Sequence, residues 1–193
     1  MTSGERSARS ADAYPERMKR DPTADTEQAL AKIIGTPLWG SARAADMEMF
    51  AFGRKTESTD QLGRRIEQGE FALHVQCPWH LERSGSMIIG SGDLYVPATG
   101  DSEDEEFDWE PYRSNRRDVL LERFFAGPAT TVEGVEAGTA GMLVISLSGD
   151  TRLRLFPNRS SLGDEHWRFF ELLSDEPHLV FMSEGVRSGQ SEN

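Results

Sequence analysis

Residues 69–79, G-E-F-A-L-H-V-Q-C-P-W, constrain the fold of this chain more than any other stretch. Phe71, Leu73, Val75 and Cys77 alternate with Ala72, His74 and Gln76, the period of two of a β-strand that buries one face. Pro78 then removes a backbone donor, and Trp79 sets a large aromatic surface beside the break. The stretch reads as a core strand ending in a bend, with later strands laid beside it.

Around that strand the chain divides into three parts. Residues 1–23 show no apolar periodicity and are expected to form a disordered tail, residues 24–187 a single domain, and residues 188–193 a second tail. A short helix is expected near Asp25, carrying Leu30, Ile33 and Ile34 and ended by Gly35 and Pro37. Residues 42–52 read as one strand, with Met47, Met49 and Ala51 on one face and Glu48, Phe50 and Phe52 on the other. Residues 53–68 read as a polar connection with room for one edge strand. Residues 87–96 read as a strand interrupted by Gly90 and Gly92.

Ser114 or Asn115 can cap a helix running to about Phe125. Leu120, Leu121, Phe124 and Phe125 form its apolar face, and Arg116, Arg117, Asp118 and Glu122 are expected to point outward. Strands follow at 130–135, 141–147 and 151–156, the last two joined by a turn at Ser148, Gly149 and Asp150. Gly163 and Asp164 are expected to start a helix holding Trp167, Phe170 and Leu173, and residues 178–186 form a last strand. The expected class is α+β: a mainly antiparallel sheet, strongly twisted or partly closed, with one or two packed helices.

Charge narrows the function. With 33 acidic against 21 basic residues the formal net charge is −12, which repels nucleic acid unless a basic patch overrides it. The arginine clusters, Arg64–Arg65 and Arg113–Arg116–Arg117, are not interleaved with stacking aromatics, so no nucleic-acid partner is expected. No apolar run approaches the ~20 residues that a bilayer requires, so no membrane association is expected. The N-terminus lacks a secretory pattern and Cys77 is the single cysteine, which together point to the cytoplasm. Within the loop at 99–113, residues 101–110 carry seven carboxylates among aromatics. Asp104, Glu105, Glu106, Asp108, Trp109 and Tyr112 are therefore the candidate surface for a basic protein partner.

Sites of chemistry are sparse. His74, Cys77 and His80 have a tempting spacing, but on a strand His74 and Cys77 point to opposite faces. His74 and His80 would lie roughly 20 Å apart, so no metal is expected and Cys77 reads as a small buried hydrophobe. Gly90-Ser91-Gly92 lacks the strand-to-helix elbow of a hydrolase nucleophile. The glycine-dense residues 133–141 lack the lysine and helix of a phosphate loop, and the acidic run lacks calcium-loop spacing; no cofactor is expected. What remains for a pocket beside the Cys77–Trp79 bend is His74, Trp79, His80, Asp93 and Tyr95.

The segments L-H-V-Q-C-P-W, G-S-G-D-L-Y and G-M-L-V-I-S-L-S-G-D-T-R-L-R-L-F-P, followed by H-W-R-F-F, resemble a group of small uncharacterised bacterial proteins, mainly actinobacterial, over residues 35–186. The resemblance implies a β-rich α+β domain and carries over no catalytic residue. In general character the chain also resembles immunity proteins that neutralise bacterial toxins. The resulting expectation is a non-enzymatic protein-binding module of the bacterial cytosol, immunity-like or accessory. The alternative is a small-ligand binder or enzyme with its pocket at the Cys77–Trp79 bend.

Overall fold

The computed structural model describes residues 22–59, 63, 65–99 and 107–189. Helix α1 (Pro22–Leu30) leads through a 3-10 turn into β1 (Pro37–Ala44), β2 (Met47–Thr59), β3 (Arg65–Val75), β4 (Trp79–Arg83) and β5 (Ser86–Gly90). Helix α2 (Arg116–Ala126) is followed by β6 (Thr130–Ala137), β7 (Leu143–Leu147), β8 (Thr151–Leu155), β9 (Glu165–Glu171), β10 (His178–Met182) and β11 (Gly185–Gly189). The strands form one sheet in the order β11-β10-β9-β3-β2-β1-β6-β7-β8-β4-β5, with antiparallel pairing throughout. The class is α+β as expected, and the sheet stays open. Among the described residues no helix is long and apolar enough to cross a membrane.

The 69–79 stretch spans the two halves of that sheet. β3 lies between β2 and β9, whereas β4, three residues further on, lies between β8 and β5. The break works because Pro78 offers only a carbonyl, which accepts the N–H of Phe156 at 2.8 Å. The halves also meet where β1 pairs with β6 at Leu38 and Thr130. Their inward faces share one core: Phe50 meets Trp79 edge-on at 5.1 Å, and the Trp167 indole donates to the Gly141 carbonyl at 2.9 Å.

Several expected elements are corrected. Residues 42–52 are not one strand but the β1–β2 hairpin, because Ala45 takes a positive φ of 52° while the alternation resumes beyond it. Within the expected connection at 53–68, residues 53–59 and 65–68 supply the outer arms of the β2–β3 hairpin, polar because their side chains pair across strands in solvent, as Lys55 does with Glu67. A bulge after Phe52 re-aims that hairpin. Gly53 supplies its positive φ of 77°, and Gly69 opposite leaves no room for a Cβ.

The helix expected over residues 163–173 is instead β9 (Glu165–Glu171) between turns: Trp167 and Phe169 face the core, and pairing with β3 and β10 settles the backbone. Residues 91–95 are a 3-10 turn, not a continuing strand, since the Asp93 carboxylate accepts the N–H of Gly90 at 2.8 Å and closes the chain on itself. The last strand is the β10–β11 hairpin. Helix α2 is capped by Asn115, as the sequence indicates. At the ends, Pro22 and Thr23 already belong to α1 and Ser188 and Gly189 to β11; residues 1–21 and 190–193 lie outside the described residues.

Candidate functional site

Helix α2 brings charge into the interior. Its cap is complete: the Asn115 Oδ1 accepts the N–H of Asp118 at 2.9 Å, and the Asp118 carboxylate accepts the N–H of Arg113 at 3.0 Å. With that register fixed, Arg117 and Asp118 fall on the same face as Leu121, turned toward β1 and β2. Both are buried, which corrects the expectation that they point outward. The partner is Glu48, one alternation beyond Phe50 on the inward face of β2 and only 1% exposed. Arg117 donates its Nε to Glu48 Oε2 at 2.6 Å and contacts Asp118 through Nη1. Arg43, directly across from Glu48 on β1, approaches Asp118 at 3.4 Å.

This cluster holds two carboxylates and two guanidiniums in a nearly dry setting. Burial pushes the Glu48 carboxyl up to about 7, against the opposing pull of Arg117 and Ser41. Burial would also raise Asp118, but the Arg113 N–H, Arg117 and Arg43 outweigh it and hold that carboxyl below its usual range. The Oε1 of Glu48 has no hydrogen-bond partner among the described residues. Desolvation offsets much of the attraction within such a buried network, so its net contribution to stability is small.

The geometry it fixes is that of Trp109 and Glu110, just after the acidic run. Arg43 donates to the backbone carbonyls of Trp109 at 3.2 Å and Glu110 at 2.6 Å, and the Asn115 Nδ2 donates to Trp109 O at 3.0 Å. The Trp109 ring lies under the Arg43 guanidinium at 5.7 Å and edge-on to Tyr95 at 5.6 Å. Between β1 and α2, next to this root, opens a cleft of about 490 Å³ whose lining includes Arg43, Glu110, Tyr112, Leu121, Glu122 and Phe125.

Of the residues expected to meet a partner, Asp108 is exposed and Tyr112 is 74% exposed, whereas Trp109 is half-buried. Asp104, Glu105 and Glu106 lie outside the described residues. The residues expected around a pocket at the bend are spread over separate places. Trp79 is core, and His80 packs against Phe156 at 5.1 Å with Glu82 at 3.5 Å. Asp93 caps its own turn and approaches Arg116 at 3.5 Å, while Tyr95 is exposed beside Trp109.

His74 is on the outward face of β3, edge-on to Phe170 at 4.9 Å, and burial with nearby Arg168 pushes its pKa down to about 4. There it lines a groove of about 530 Å³. Gly40, Ala51, Ala72 and Phe170 pair in a row across four strands, so the floor carries almost no side chain before the Phe170 wall. Trp39 flanks the groove, its Nε1 buried without a partner among the described residues.

Cys77 is buried, and among the described residues no group of three or more His, Cys, Asp or Glu side chains is placed to hold a metal ion. What sequence reasoning missed is the Glu48–Arg117–Asp118 cluster. Its signal was present: Glu48 alternates with Phe50 and Phe52, and Arg117 lies four residues before Leu121 on one helical stripe. No family model, no curated protein and no solved structure matches the chain.

Proposed function

We propose that this chain is a non-enzymatic protein-binding module that takes a basic partner at the root of its acidic segment. The observation that carries the reading is the double anchoring of residues 109–110, by Arg43 and Asn115, to a buried charge cluster. A segment that only kept the protein soluble would need no such fixation, whereas a binding surface gains from being held in one geometry before its partner arrives. Asp108 and Tyr112 stand exposed beside that anchor, and residues 101–106 add five more carboxylates just upstream. The charge balance and single cysteine fit an immunity-like or accessory role in the bacterial cytosol. Tagged chain incubated with cell extract at moderate salt should retain a basic protein near stoichiometry and release it in high salt. Retention unchanged in D104N/E105Q/E106Q combined with Y112A would overturn the reading.

A second reading is favoured by the groove on the outward face. A neutral His74, a Trp39 indole N–H without a partner among the described residues and a floor of small residues suit a flat apolar small molecule that carries a hydrogen-bond acceptor. A thermal-shift screen tests it: stabilisation by such compounds should disappear when Gly40→Phe fills the floor.

A further inference from the structure

We infer that the cleft between β1 and α2 receives a lysine or arginine side chain of the partner, an inference that rests on the binding-module reading and specifies its central contact. The argument is one of unspent hydrogen-bonding capacity. The donors in the back wall are committed: Arg117 to Glu48 and Asp118, and Arg43 to Asp118 and the carbonyls of Ala45, Trp109 and Glu110. What remains open is acceptor capacity. The Glu110 carboxylate makes no ion pair among the described residues, and Glu122 at the opposite rim meets only the largely exposed Arg113, at 3.3 Å.

Behind the wall, Oε1 of the 1%-exposed Glu48 has no hydrogen-bond partner among the described residues, and the groups that bear on its carboxyl, Arg117, Ser41 and Asp118, all line the cleft. The floor, Leu121 with Phe125, is apolar and suits the methylene stem of a long cationic side chain. Tyr112, exposed and part of the lining, puts an aromatic ring within reach of the cation. The guanidiniums of this wall are already turned to carboxylates and carbonyls, which disfavours an anion, and a neutral apolar group would leave the rim carboxylates unmatched. The acidic run upstream raises the local concentration of basic chains, and the cleft selects one side chain from them.

A lysine hexapeptide titrated into the isotope-labelled full chain, at low and at moderate salt, tests this. Binding should shift the amide resonances of Leu121 and Phe125, and E110Q/E122Q should weaken it about tenfold or more, as expected for paired charge contacts. Y112A should weaken it separately, and the same spectra report whether each variant is folded. Binding that leaves Leu121 and Phe125 unshifted, and is abolished by D104N/E105Q/E106Q but unaffected by E110Q/E122Q, overturns the cleft and leaves the acidic surface standing. A wild-type chain that ignores the peptide at low salt overturns both.

Discussion

Arg117 on α2 donates its Nε to Glu48 on β2 at 2.6 Å, with both side chains almost wholly removed from solvent. Removing one partner strands the other. Arg117→Met should destabilise the fold by about 3–5 kcal/mol, because the Glu48 carboxyl is left buried without its partner. Glu48→Leu added to Arg117→Met should recover most of that loss. Urea unfolding of the two variants and wild type checks both, and a double variant no better than the single would show that the pair itself holds α2 in place.

The same carboxyl gives stability an unusual dependence on pH. Burial raises Glu48 from 4.5 to about 7, so between those values the folded chain holds a proton that the unfolded chain has released. Its contribution is complete below the lower value and lost as pH rises through about 7. His74 works in the opposite sense: burial lowers it from 6.5 to about 4, so its contribution is complete above 6.5 and is lost as pH falls toward 4. Relative to wild type, E48Q should therefore grow more favourable as pH rises across the first window, and His74→Leu as pH falls across the second. Denaturation midpoints measured across that range give both differences, and matching slopes for the two variants would contradict the assignment.

Two glycines are held by close approach. A Cβ on Gly141 would lie 2.2 Å from the Phe181 ring at a φ of +73°, and one on Gly69 would lie 2.7 Å from the Phe52 carbonyl. Gly141→Ala and Gly69→Ala should each cost about 2 kcal/mol or more, through strain and overpacking. Gly40→Ala meets nothing within 4 Å and should stay within about 0.5 kcal/mol of wild type. Thermal unfolding of the three variants separates these outcomes.

Cys77 should be chemically silent while the fold is intact. It is 4% exposed, and burial raises its thiol to about 12, which keeps it protonated. Alkylation by iodoacetamide should run about a thousandfold or more below a free thiol and rise in step with urea unfolding. Rapid native modification would require the Cys77–Trp79 bend to open on its own.

The period of two through Phe71, Leu73 and Val75, the Asn115 cap and the turn at Gly149–Asp150 were legible in the sequence because neighbouring residues create each of them. The acidic run and its aromatics were equally visible. β9 was not: Trp167, Phe169 and Phe170 are compatible with a helical stripe or an alternating strand, and only the unpaired edges of β3 and β10 decide between them. Nor was the charge cluster read, although Glu48 stood on an apolar face, because Arg117 and Glu48 are 69 residues apart and either could have faced water. The sequence by itself determined the local periods, the caps and the charge balance, since these depend on residues a few positions apart. Tertiary structure alone decided which faces are covered, and so placed Arg117 inward, gathered Arg43 and Asn115 against Trp109 and Glu110 and left an open groove beside His74. Those outcomes depend on long-range strand pairing, whose partners no local pattern specifies.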